Sequence, residues 1–330
     1  MNLTRFINPK ENQVIKQRGL LASLLLVLIV GLVACGGDGP APTATSEPPA
    51  RPTATPEPQA VTLTDDVGNT VEIEGAVERV VSLAPSHTET LYALGLGDRV
   101  VGATEYCNYP PEVADKPKVG GFADVDLEMV VGLEPDLVLA TSLHMAEVVP
   151  ALQERGITVF VADPQTVAGT LETILAIGQI TGHEEAAETL AAQMQARIDT
   201  VQEKIKDAPR PKVFWELGPE LYTAGPGSFI NDLIVMAGGE NVAADADSPW
   251  PQLTVETIIL KNPDVIVLAD HNYGQTSEMV AERPGWEDIN AVKEGNVVEI
   301  TDDDIVSRPG PRIVEGLEFL AKAFHPDLFE

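Results

Sequence analysis

The stretch Phe122-Ala123-Asp124-Val125-Asp126-Leu127-Glu128-Met129-Val130-Val131-Gly132-Leu133-Glu134-Pro135-Asp136 is answered 128 residues on by Trp250-Pro251-Gln252-Leu253-Thr254-Val255-Glu256-Thr257-Ile258-Ile259-Leu260-Lys261-Asn262-Pro263-Asp264. Aromatic aligns with aromatic, Glu128 with Glu256, and Pro-Asp with Pro-Asp. Each copy reads as a loop bearing a ring, then a short helix opened by the glutamate (Leu127 to Leu133; Val255 to Leu260). A buried apolar strand follows (Leu137 to Ala140; Val265 to Leu268). A repeat of so long a period is no solenoid. Its natural geometry is a pair of similar lobes with a cleft between them, and the matched rings and glutamates become candidate functional positions.

Outward from the first copy, Val61 to Ile73 alternates apolar and polar residues around Asp66-Val67-Gly68-Asn69, which predicts a hairpin covering an edge. Arg79 to Leu83 is a strand that turns at Ala84-Pro85 into a helix through Leu94, stopped by Gly95 and Gly97. With Val100 to Ala103 and Thr158 to Val161 these make a parallel α/β sheet. Around the second copy, a strand at Lys212 to Trp215 is followed by Leu221 to Thr223, a helix over Ser228 to Met236, strands at Val265 to Leu268 and Val297 to Ile300, and a closing helix from Arg312 to Phe324.

Between the lobes, a helix over Val167 to Ile180 breaks at Gly182. Another starts at Glu184-Glu185 and runs to about Lys206, with Leu190, Met194, Ile198, Val201 and Ile205 on one stripe. At ~1.5 Å per residue it spans roughly 35 Å, enough to bridge two lobes; the stripe by itself leaves an ordinary surface helix open. The predicted fold class is α/β: two similar lobes (61–166 and 208–330) with parallel-type sheets, joined through a connector (167–207) by one long helix, with the ligand cleft between them.

The chain opens with Arg5, Lys10, Lys16 and Arg18, continues with an apolar run from Leu20 to Ala34, and then reads Leu32-Val33-Ala34-Cys35-Gly36. This is the pattern of an export signal (1–34) ending in a lipobox, with cleavage before Cys35 and lipidation of its thiol; the run is short beside the roughly 20 residues of a membrane-crossing helix. Residues 36–60 are rich in proline and lack large apolar residues, so they cannot bury enough surface to offset chain entropy. They form a spacer that extends roughly 75 Å if polyproline-like. The expected location is extracytoplasmic, lipid-anchored to the outer face of the cell membrane or periplasmic. A formal net charge of −30 argues against nucleic acid and anionic lipid as partners. Besides Cys35 the only cysteine is Cys107, which excludes an intramolecular disulfide in the body and a cysteine metal cage.

Ligands of open α/β sheets sit beyond the carboxyl ends of strands. The residues placed there by the reading are His87, Tyr106, Phe122, His144, Tyr222, Trp250, His271, Asp304 and Arg308. Rings in proline- and glycine-flanked loops suit a flat hydrophobic ligand, although each ring alone also serves as a plug for its own lobe. Arg308 with Asp304 suits amide oxygens and amide hydrogens; the alternative is a local ion pair. Asp302-Asp303-Asp304 lacks the interleaved spacing of a calcium loop. Glu128 and Glu256 sit in first helical turns, where the helix dipole favours a carboxylate, and their symmetric recurrence suits basic sockets on a two-fold partner. His87, His144 and His271 leave a three-histidine metal site open, but no metal and no cofactor is expected. No nucleophile elbow, phosphate loop or HExxH pattern is present, so an enzyme is not expected.

Taken together, RVVSLAPSHTETLYALG, YCNYPP, DLEMVVGLEPDLVLA, GGEN followed by SPWPQLTVE, and SRPGPR form a series that resembles the cobalamin-binding lipoproteins of ABC importers, within the class of binding proteins whose lobes are joined by one rigid helix. The resemblance covers essentially Val61 to Glu330; siderophore and haem receptors share its broader features. It implies a corrin held against Tyr106, Phe122, Tyr222 and Trp250, with Asp304 and Arg308 on the ligand's polar rim. It also implies that Glu128 and Glu256 engage a dimeric permease coupled to an ATPase, and that the receptor acts as a monomer. His87, Cys107 and His144 fall outside the pattern, which leaves room for histidine coordination of cobalt, with His87 the candidate on the ligand. Thr141 stands where relatives carry another aromatic. The other readings carried forward are a receptor for a ferric siderophore or haem, a zinc or manganese receptor, and a secreted metal-dependent hydrolase.

Overall fold

The computed structural model describes residues 60–329; the signal segment, Cys35 and the spacer up to residue 59 lie outside the described residues. The body begins with a hairpin of β1 (Val61–Thr64) and β2 (Thr70–Ile73). The first lobe then follows as β3 (Val80–Ser82), α1 (Pro85–Ala93), β4 (Val100–Ala103), α2 (Leu127–Gly132), β5 (Leu137–Ala140), α3 (Val148–Gln153) and β6 (Val159–Val161). The connector is α4 (Val167–Thr181) and α5 (Glu184–Ile205). The second lobe comprises β7 (Lys212–Glu216), α6 (Phe229–Met236), β8 (Glu240–Asn241), α7 (Val255–Lys261), β9 (Val265–Leu268), α8 (Ser277–Ala281), α9 (Asn290–Glu294), β10 (Val297–Glu299), α10 (Asp304–Ser307) and α11 (Ile313–Phe324).

The two sheets are β4-β3-β5-β6 and β8-β7-β9-β10, parallel throughout. Counted within each lobe, both run second, first, third, fourth. The Pro-Asp pair of the repeat does the same work in each. Asp136 Oδ2 accepts the backbone N–H groups of Glu78 and Arg79 at 2.9 and 2.8 Å, and Asp264 Oδ2 accepts that of Lys212 at 2.9 Å. Each aspartate thereby stitches the start of the lobe's third strand to the start of its first. The residue two positions earlier is left-handed in both copies, Glu134 at φ 46° and Asn262 at φ 48°. The equivalent helices α2 and α7 are capped alike, by the side chains of Asp126 and Thr254.

Alternation along the central strands divides the interior into three. Leu137 and Leu139 of β5, Val213 and Trp215 of β7, and Val265 and Val267 of β9 face one large core that includes Ile174 and Ile177 of α4 and Met194, Ile198 and Val201 of α5. The opposite faces meet smaller cores, Val138 and Ala140 against α3 in one lobe and Ile266 and Leu268 against Trp286 in the other. Strands buried on both faces read as continuous apolar runs, which is why both sheets are visible in the sequence.

α4 and α5 form an antiparallel pair turned at Gly182 (φ 71°). The start of α5 lies beside Ala93 of the first lobe; near its end Gln202 donates to the Met236 carbonyl of the second. The long helix thus crosses between lobes, with its apolar stripe on α4 and α11 rather than in solvent. The leading hairpin meets the first sheet at its edge, where Asp66 N–H donates to the Val161 carbonyl of β6 at 3.0 Å. Among the described residues no helix is long and apolar enough to cross a membrane.

Candidate functional site

The first ring-bearing loop is built by a tight reversal. Gly120 and Val125 pair across it, and Gly120 sits at φ +92°, where a Cβ would lie 2.4 Å from the Asp124 carbonyl; only glycine fits that approach. Phe122 occupies the tip. His144 stands behind it, its ring edge-on to the phenyl at 5.7 Å between centroids. Thr141 N–H donates to His144 Nδ1 at 3.0 Å, so Nε2 carries the proton and donates to the Phe122 carbonyl at 2.9 Å. Burial pushes the His144 pKa down, keeping the neutral form this arrangement needs.

The second loop is held differently. The carbonyls of Pro249 and Pro251 accept N–H bonds from Gly225 and Thr223 at 2.8 and 2.9 Å, so the residues on either side of Trp250 are both pinned and its indole is left half exposed. The segment Leu221 to Thr223 contributes a single bridge, Tyr222 to Gln252.

Phe122 and Trp250 line one cavity of about 430 Å³ between the lobes. The first lobe supplies Pro85, Ser86 and Thr141 to its wall, together with Asp163 and Gln165 beyond the end of β6; the second supplies Leu217, Phe229 and Ile230 as an apolar floor, and Ser307, Arg308 and Pro309. Asp163, Gln165 and the floor were missing from the sequence-based set. Asp163 lies just past β6, so its place beyond a strand end is the signal that marks it in the sequence.

Arg308 lines the cavity with its charge already engaged. It pairs with Glu89 of α1 at 2.9 Å and with Asp304 at 2.5 Å, and donates to Asn108 Oδ1 at 2.8 Å. Glu89 and Asn108 belong to the first lobe, so this guanidinium ties the lobes together. Burial raises the Glu89 pKa against the opposing pull of Arg308. The pair with Asp304 is the local ion pair read as the alternative for this arginine, and the bond to Glu89 carries it across to the other lobe.

Other candidates stand apart from the wall. Tyr106 and Tyr222 are 61% and 46% exposed and neither lines the cavity. Asp304 lies behind Arg308. His87 is buried and does not line the cavity; its Nε2 lies 2.8 Å from the Ala162 carbonyl, its Nδ1 has no hydrogen-bond partner among the described residues, and burial lowers its pKa to about 4. His271 sits in the second lobe against Glu299 and the Gln275 carbonyl. The three histidines therefore do not converge, and among the described residues no group of three or more His, Cys, Asp or Glu side chains is placed to hold a metal ion. Cys107 is buried against Thr88 and Thr104. Glu128 and Glu256 are exposed at equivalent first-turn positions of α2 and α7, and the Glu256 pKa is lowered by bonds to its own backbone and Thr254.

Residues 80–303 match the family described as periplasmic binding protein. An uncharacterised ABC transporter substrate-binding lipoprotein of Bacillus subtilis is 39% identical over 324 residues, 96% of this chain and 99% of the relative. A cobalamin-binding protein of Halobacterium salinarum is 36% identical, over 93% of this chain and 85% of the relative. Among solved structures, the vitamin B12-binding protein of Vibrio cholerae has a TM-score of 0.67 at 25% identity, covering 77% of this chain and 99% of that one. A haem-binding protein of Roseiflexus has a TM-score of 0.67 at 28% identity, covering 77% and 100%.

Proposed function

The chain belongs to the periplasmic binding protein family, and from that premise we propose that it is the receptor of an ABC importer, capturing cobalamin or a related corrinoid between its lobes and passing it to a membrane permease. It is a binding protein and not an enzyme. The observation that carries the ligand reading is the shared cavity: two rings at matched points of a repeat, one from each lobe, facing a space within the ~300–1,000 Å³ range of small-molecule sites. A flat macrocycle buries its faces against such rings. The cobalamin-binding relative supports the choice of corrinoid.

Haem is the second reading, favoured by the fold shared with a haem-binding protein. Titration calorimetry with dicyanocobinamide, cobalamin, haem and zinc separates the readings. Heat with the corrinoids is expected; heat with haem alone would overturn the assignment. The lipobox pattern ending at Cys35 and the proline-rich sequence after it support a receptor lipidated at Cys35 and tethered on the outer side of the membrane, and labelled palmitate carried by the protein in cells would test the anchor.

Glu128 and Glu256 suit docking, because each stands exposed one helical turn beyond a loop that walls the cavity, once per lobe. Replacing both by alanine is expected to leave corrinoid affinity intact and to depress uptake at least about tenfold, as loss of charge pairs across an interface does. Parental uptake in the double variant would reduce the pair to favourable helix-end charges.

A further inference from the structure

The cavity wall carries two charged residues, Asp163 and Arg308. Arg308 faces two carboxylates, Glu89 and Asp304, so its positive charge is more than balanced. His87 and His144, the titratable groups behind the wall, are held towards neutrality by burial. Among the described residues Asp163 has no cation as a hydrogen-bond partner: one carboxylate oxygen accepts from Ser142 Oγ. Gln165 beside it donates one of its two amide N–H groups to the Asp163 carbonyl at 2.9 Å, which leaves its side-chain oxygen and one neutral N–H on offer. This end of the wall therefore presents a carboxylate and neutral polar groups with, among the described residues, no uncompensated cation.

Such a surface distinguishes two chemistries that share one shape. A carboxamide brings N–H donors to an acceptor; an ionised carboxylate brings only acceptors and a like charge. We propose that Asp163 is a specificity-determining residue that makes the cleft select a ring ligand fringed with carboxamides over one fringed with carboxylates. The proposal rests on the ring-ligand reading above and adds to it the chemistry of the ligand's edge. It also separates corrinoids from haem on physical grounds, since haem carries propionates that would face Asp163 without a free cation to receive them.

The test is calorimetry, by competition where binding is weak, with dicyanocobinamide and with dicyanocobyrinic acid, which has the same corrin ring with carboxylic acids at its edge. The parent is expected to bind the acid at least about tenfold more weakly, the effect of one unfavourable charge contact. Asp163→Asn is expected to shrink that ratio about tenfold, while Asp163→Glu, which keeps the charge, is expected to retain it. A parent that does not distinguish the two ligands, or Asn and Glu variants with the same ratio, would overturn the role of Asp163 while leaving corrinoid capture standing. Binding of neither ligand by the parent would remove the corrinoid reading and this proposal with it.

Discussion

Replacing Phe122 and Trp250 together by alanine is expected to weaken dicyanocobinamide binding at least about a hundredfold, a loss of about 3 kcal/mol. Aromatic anchors in the centre of an interface each contribute at least ~1–2 kcal/mol when truncated, and these two face one cavity from opposite lobes. Each single variant is expected to lose at least about fivefold to tenfold. The rings carry little of the fold: Trp250 is half exposed, and Phe122 packs against His144 rather than into a core cluster. Calorimetry on the double variant reads the loss directly. A drop smaller than about tenfold would move the cargo away from this cavity.

Arg308→Met is expected to cost about 3–5 kcal/mol of stability at neutral pH, because it strands Glu89, whose side chain is 2% exposed, without its cation. The second oxygen of Glu89 already lacks a partner among the described residues, and none of them is in place to take over. The pH dependence has a definite sign. Burial holds the Glu89 carboxyl above its ordinary value in the folded state, so its contribution favours the folded state at low pH and is lost as pH rises through the folded value. Removing Arg308 raises that folded value further, so the loss continues towards neutrality. The gap between parent and variant should be small near pH 4 and full near pH 8, read from urea unfolding at each. Equal gaps at both would sink the assignment. Pairing the change with Glu89→Gln should recover much of the loss, since an apolar or neutral replacement of both partners avoids the buried charge.

Much of this architecture is legible in the chain because buried parallel strands write themselves as short apolar runs. β3, β5, β7 and β9 all did so. β8 was missed because Glu240–Asn241 carries no apolar signal: it is an edge strand two residues long. The short helices α3, α8, α9 and α10 have too few turns for periodicity to register. At the site, the repeat marked Phe122 and Trp250, both of which reached the cavity. Composition and position gave no way to see that Arg308 would be taken up by Glu89, 219 residues away in sequence, or that the His87 ring would turn into the core. Such outcomes depend on how helices pack over strand ends, and a single chain read in order does not encode them in any local pattern.

The shared core threaded by α4 and α5 has a bearing on how the receptor speaks to its transporter. Side chains from both sheets and both connector helices interlock in a single mass, so that, although each lobe keeps a smaller core on its outer face, the two halves share the interior about which they would have to swing. Close-packed interiors resist continuous deformation. Vacant and laden molecules should then offer the membrane almost the same silhouette, and discrimination between them must fall to features at the mouth of the cleft, the cargo's own exposed edge among them.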